Sequence, residues 1–200
     1  MTAAPTLFLG HRIGWSRVAV ILVFAFAVFV PTPDIITPRI QELSELLGFG
    51  LLVVAALGRL WCLSFIAGFK NEVLVTEGPY SVVRNPLYVF NFIGAVGFGL
   101  AVENPLLAAL LALGFFMLYP GVVRLEEERM EQLFGESFAR YREATPRWLP
   151  QWSNFHEPET WTINPQRFRA GLVNAMWFLW AFMLWEVFEE FGILLWLRGL

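Results

Sequence analysis

Gly78, Pro79 and Tyr80, followed by Arg84, Asn85, Pro86 and Tyr88, place turn-forming, cationic, amide and phenolic groups within one short stretch. Glycine supplies unusual backbone dihedrals and proline presets its own, so the first three residues read as a tight turn. Asn85 and Pro86 read as a helix start. The residue before proline avoids the helical region, proline suits the first helical position, and asparagine is a strong N-cap. The unpaired N–H groups of such a helix favour an anion. A second group, Glu126, Glu127 and Glu128, follows a long apolar run. Carboxylates at a helix C-terminus are electrostatically unfavourable there; they suit hydroxyl and ammonium groups or simply face water. Arg124 can hold an anionic group or anchor the helix end at the membrane surface. The alternative reading of both groups is an ordinary capped helix entering a bilayer and a solvated continuation of another.

The elements that must position these residues are apolar. The chain is 57% hydrophobic and 16% charged, with mean hydropathy +0.57, far from soluble averages. A hydrocarbon core of ~30 Å needs about 20 helical residues. Uncharged runs of 16, 18, 20 and 16 residues separate Arg17 from Asp34, Arg84 from Glu103, Glu103 from Arg124, and Arg169 from Glu186. The stretch 46–69 is also apolar and carries Arg59 toward its far end. These windows predict five spans near 15–31, 46–69, 86–103, 105–123 and 170–190, hence an all-α integral membrane bundle. The first is read as an uncleaved span, because its apolar run continues through Val30, past the Ala25–Ala27 cleavage-like site.

A cytoplasmic N-terminus puts Arg12, Arg17, Lys70, Arg84 and the 124–169 cluster on one side, leaving Arg39 and Arg198 on the other. Asn104 and Pro105 predict a tight hairpin between the third and fourth spans, and Pro120 with Gly121 a kink. Residues 151–169 read as a cytoplasmic or interfacial linker, with Trp152, Phe155 and Trp161 suited to the bilayer interface. The single cysteine, Cys62, excludes an intramolecular disulfide and any cysteine metal cluster. A net charge of −3, with no basic stripe interleaved with aromatics, argues against a nucleic-acid partner.

Residues 74–88 follow, without a gap, the pattern Leu-Val-Thr-x-Gly-Pro-Tyr-x-x-x-Arg-His-Pro-x-Tyr, except that Asn85 replaces the histidine. This resembles the cofactor signature of the isoprenylcysteine carboxyl methyltransferase family, which is related to the phospholipid methyltransferases. Glu126, Glu127, Phe134, Gly135, Tyr141 and 146–150 fall where that family places its acidic pair and closing proline segment. The resemblance covers about 45–150, within a domain at 1–150; 170–200 reads as an additional C-terminal transmembrane helix. It implies S-adenosylmethionine as cofactor. The implied cofactor residues are Val73, Leu74, Val75, Tyr80, Asn85, Pro86, Leu87, Tyr88, Glu126 and Glu127, with Arg124 toward the substrate and Arg147 with 148–150 as a closing flap. It implies no metal and identifies no catalytic residue. Glu72 and Phe90 also depart from the family, standing where some members have His and Gly.

The resemblance implies methyl transfer to a lipophilic acceptor, first carboxyl O-methylation of an isoprenylcysteine-like substrate. Phospholipid or amine N-methylation comes second, with Glu72 left as a base. A non-catalytic membrane protein that retains the scaffold is the reading from another class. The expected setting is a multi-pass protein of a bacterial inner membrane in preference to the endoplasmic reticulum, with membrane lipids as neighbours. Glu186, Glu189 and Glu190 lie on one helix face and predict that the last crossing ends there, with 191–200 along the outer interface. On this reading the C-terminal segment takes no part in methyl transfer. Truncation after Asn164 then leaves the cofactor site able to bind, provided that the rest of the bundle folds.

Overall fold

The computed structural model describes residues 27–29, 37–69, 72–193 and 199. The expected first span, 15–31, lies outside the described residues except for 27–29, which are helical. The remainder is α1 (Pro38–Ile66), a single turn α2 (Pro79–Val82), α3 (Pro86–Ala101), α4 (Pro105–Phe134), α5 (Glu136–Ala144), a 3-10 turn at Trp152–Asn154, α6 (Pro165–Ala175) and α7 (Trp177–Glu190). The protein is an all-helical membrane bundle. Among the described residues, three stretches are long and apolar enough to cross a bilayer: α1, α4, and α6–α7 taken together, which are separated only by Met176.

Local chemistry fixes the helix ends. Proline opens α1, α3, α4 and α6, where its missing N–H is harmless. The Asn104 side chain accepts from Leu107 N at 3.0 Å, and this cap makes the expected α3–α4 hairpin. The third expected span is accordingly short. Pro86 and Asn104 limit α3 to 16 residues, about 24 Å of rise. α4 runs through Pro120 without ending and stops at Gly135, whose φ of 51° turns the chain into α5.

α1 and α3 form the central pair, and small residues let them approach. In lipid, close packing replaces the hydrophobic drive between helices, so such residues decide who can pair. A Cβ on Gly48 would overlap the backbone of Ala101 and Gly97, whereas Gly50 faces open space. Gly48→Leu is therefore expected to cost about 3 kcal/mol or more, the top of the overpacking range, because backbone atoms must move. Gly50→Leu is the control. Equal yields of monodisperse, helical protein in detergent for the two variants would refute this packing.

One face of the C-terminal segment packs into the bundle. Phe178, Phe182 and Trp185 of α7 are buried with Leu52 and Ala55 of α1 and Phe98 and Ala101 of α3. Trp161 packs on Phe65 at 5.1 Å and donates through Nε1 to Ser64 O at 3.1 Å, near the end of α1. The bundle has an acidic end opposite the signature. There Glu42 and Glu45 of α1 and Glu186 of α7 line an open cleft of about 370 Å³. α7 ends at Glu190, followed by a turn at Phe191 and Gly192; residues 194–198 and 200 lie outside the described residues.

Candidate functional site

The signature begins with a turn that only glycine can make. Gly78 has φ 58°, and a Cβ there would also overlap the Phe65 ring. α2 follows, every residue buried, and Ser81 Oγ closes the turn by donating to Gly78 O at 2.6 Å. α5 and the stretch after it strap this turn from outside. Tyr141 Oη donates to Tyr80 O at 2.7 Å. Arg84 N donates to Pro146 O, Gln151 N to Val82 O, and Gly78 N to His156 O, each at 2.9 Å. The closing proline segment thus fixes the signature backbone.

Glu127 lies at the centre of the polar site. It is buried and accepts from Arg147 twice, Nη2 to Oε2 at 2.5 Å and Nε to Oε1 at 3.2 Å. Asn85 Nδ2 donates to the same Oε1 at 3.3 Å, and Arg84 Nε stands 3.6 Å from it. Two guanidiniums thus converge on one carboxylate. Burial lowers the Arg84 pKa, and the Glu127 charge acts to raise it. Asn85 does not cap α3 with its side chain as expected. Its carbonyl takes the first helical N–H groups, from Tyr88 at 3.0 Å and Val89 at 3.2 Å, while its amide is committed to Glu127.

Glu126 and Tyr88 form a neighbouring pair, Tyr88 Oη donating to Glu126 Oε2 at 2.6 Å. Glu126 is half-buried, so its carboxylate is the more accessible of the two. Tyr88 meets the edge of Tyr119 at 5.4 Å, and Tyr119 stacks on Phe115 at 4.2 Å. On the other side of α3, Val75 and Tyr80 are buried with Cys62 and Phe65, and Leu87 packs against them. Among the described residues Tyr80 Oη has no hydrogen-bond partner, and burial raises its phenol well above the ordinary range, keeping it a donor. Pro86 is buried at the α3 start and Leu74 is half-buried beside Val75.

Other expected residues fall elsewhere. Arg124 is 77% exposed and pairs with Glu128 at 3.0 Å, so its guanidinium is turned to Glu128 and not to the buried Glu127. Val73 is 49% exposed and Glu72 is exposed. Trp148 reaches Phe115 at 5.9 Å, but Leu149 is 82% exposed, so 148–150 is not an apolar flap as a whole. Arg84 was not among the expected contacts, and Arg147 was expected only as part of the closing flap. Their signal was the acidic pair itself, since a buried carboxylate needs cations and both arginines lie in the matched motifs.

A phospholipid methyltransferase family model matches residues 47–137. Over 184 residues, 90% of this chain and 83% of the other, the sequence is 39% identical to the cobalt-zinc-cadmium resistance protein CzcN of Cupriavidus metallidurans. It is 40% identical to the nickel-cobalt-cadmium resistance protein NccN of Alcaligenes xylosoxydans xylosoxydans, over 84% of this chain and 78% of that protein. Across 81 residues, 40% of this chain and 34% of the other, it is 33% identical to the protein-S-isoprenylcysteine O-methyltransferase of Schizosaccharomyces pombe. The chain belongs to the isoprenylcysteine and phospholipid methyltransferase family. No solved structure matches it.

Membership in this methyltransferase family implies S-adenosylmethionine as methyl donor, and the donor set fits that molecule. The buried Tyr80 hydroxyl, without a partner among the described residues, lies in an apolar cluster suited to adenosine. Glu126 offers a carboxylate for ribose hydroxyls or the ammonium. Arg84 and Arg147 offer guanidinium donors of the kind that a methionyl carboxylate requires.

Proposed function

We propose that this protein is an S-adenosylmethionine-dependent methyltransferase acting on a lipophilic acceptor at the cytoplasmic surface of a bacterial inner membrane, with its N-terminus in the cytoplasm. The observation that carries the reading is the meeting of the two halves of the signature, Tyr88 on Glu126 at 2.6 Å and Asn85 with Arg147 on Glu127. S-adenosylmethionine supplies an electrophilic methyl group on a sulfonium. The chain's part is to hold and orient: Glu126, Tyr88 and Tyr80 toward the nucleoside and ammonium, Arg84 and Arg147 toward the carboxylate. Positioning of this kind reaches effective molarities of ~10⁵ M or more.

Carboxyl O-methylation of an isoprenylcysteine-like group is the first choice of reaction. A carboxylate is ionised at neutral pH and needs no base, which suits a site where non-titrating Asn85 stands at the family's histidine position. The phospholipid methyltransferase match favours amine methylation as the second reading; that reaction needs a base, and Glu72 is exposed. The names of the two relatives that align along most of the chain support a role in resistance to divalent metals, exerted through a methylated membrane component.

Labelled S-adenosylmethionine should bind purified full-length protein in lipid nanodiscs. Tyr88→Ala and Glu126→Ala should each weaken binding about tenfold or more, the equivalent of one charge-assisted hydrogen bond of about 1.5–3 kcal/mol. Methyl label transferred to membrane lipid or prenyl-cysteine should be released as methanol by base; base-stable label would select the amine reading. A folded wild type that binds no S-adenosylmethionine would sink both.

A further inference from the structure

We propose that Arg59 is a positioning residue that couples the C-terminal helices α6–α7 to α3, and so sets Asn85 and Tyr88 against the Glu126–Glu127 pair. The inference rests on the methyltransferase reading for its binding readout only.

Arg59 is 7% exposed and lies about 10 Å before the end of α1 by helical rise, within the depth of the bilayer. Ionisable groups at that depth are rare because they are costly, so a retained one calls for a role. Its guanidinium donates from Nε to Ala175 O at 3.0 Å, from Nη2 to Asn174 O at 2.8 Å and Asn174 Oδ1 at 2.9 Å, and from Nη1 to Asn91 Oδ1. All four acceptors are neutral oxygens, and they belong to α3 and α6. The Phe178 ring of α7 lies 5.9 Å from the guanidinium carbon.

The α6–α7 break makes these acceptors available. Leu179 N donates to Met176 O at 3.0 Å, three residues back. In a regular α-helix it would go to Ala175 O, the carbonyl that Arg59 takes instead. The charge sits at the C-terminal end of α6, where the helix dipole favours a cation. On the other side, Asn91 follows Tyr88 by three residues and Asn85 by six, about 9 Å along the rigid, short α3. Gripping Asn91 therefore fixes both the rotation and the height of the α3 end that carries the signature. A lysine ammonium is a point charge and cannot span these acceptors, whereas the planar guanidinium fork can. Apolar residues would suffice for packing alone, so the network is read as fixing one arrangement of three elements.

The test uses full-length protein in nanodiscs and two readouts, S-adenosylmethionine affinity and amide hydrogen exchange at 85–89. Asn91→Leu and Arg59→Lys should weaken binding at least about tenfold and speed exchange at 85–89. Asn91→Asp keeps the shape and the acceptor and should bind within about threefold of wild type. Asn174→Ala removes one of the four bonds, should fold even if the others do not, and should speed exchange on α3, across Arg59 from the altered residue. Wild-type exchange at 85–89 in Asn174→Ala, with changes confined to α6–α7, would overturn the coupling, as would folded Arg59→Lys and Asn91→Leu proteins that bind normally. A wild type that binds no S-adenosylmethionine removes the functional reading alone, and the exchange measurements still decide the coupling.

Discussion

Glu127→Ala should reduce S-adenosylmethionine binding about a hundredfold while leaving the spans helical. The carboxylate is buried and accepts from Arg147 and Asn85, with Arg84 at 3.6 Å. Removing it leaves two cations facing each other without compensation. Breaking a buried ion pair from one side costs about 3–5 kcal/mol. The lower figure applies, because the Arg147 side chain is 43% exposed and can return to water. Arg84 cannot, with 9% exposure, and burial already works against its charge. Asn85 would lose its hold at the start of α3, displacing Tyr88 one turn on, so roughly 2.7 kcal/mol, a hundredfold, should appear in cofactor affinity. Glu127→Gln keeps the shape and one acceptor and should fall between. Equilibrium binding of labelled cofactor, with thermal melting in the same detergent, measures both effects. Affinity within threefold of wild type for folded Glu127→Ala would show that Glu127 does not organise the site.

What the sequence revealed of this arrangement follows from how each feature is encoded. The turn at Gly78, the helix start at Pro86 and the hairpin at Asn104 depend on residue types that are scarce inside helices, so they were legible one residue at a time. The starts at Pro38 and at Pro165, inside the expected 151–169 linker, were not, because polar residues follow both prolines. The apolar windows gave α1, α4 and α6–α7, because hydrocarbon thickness sets a length that can be counted. The division of labour between Glu126 and Glu127 was not legible. Neighbouring helix residues point about 100° apart, and charges surround this part of α4, so no periodicity marks the face that meets α3. Nor was the placing of α7. A helix of Phe, Trp, Leu and Met looks the same whether it faces lipid or protein, since both are apolar, and only the packing of Phe178, Phe182 and Trp185 against α1 and α3 distinguishes them. Arg59 was visible as a charge in an apolar run, but its acceptors lie 32, 115 and 116 residues away.

Truncation after Asn164 should therefore cost the protein its folded bundle, contrary to a peripheral C-terminal segment. Two losses compete. The first is the packing of Phe178, Phe182 and Trp185, which lipid tails partly replace, because lipid is as apolar as the helix they leave. The second is the removal of three of the four Arg59 acceptors, Ala175 O, Asn174 O and Asn174 Oδ1, which lipid tails cannot replace. Insertion scales put an arginine at the bilayer centre at about 2.5–3.5 kcal/mol, and snorkelling toward the nearer membrane surface would pull α1 out of register with α3. The charge term should dominate, which yields a test by rescue. Truncation combined with Arg59→Leu should give more monodisperse protein than truncation alone, although Arg59→Leu in the full chain should lower the yield. The rescued protein should still bind S-adenosylmethionine poorly, since α3 has lost the grip on Asn91. If the truncated chain with Arg59 intact stays folded and binds the cofactor as the full chain does, the C-terminal helices are dispensable. If Arg59→Leu fails to rescue, aromatic packing rather than the buried charge holds the segment in place.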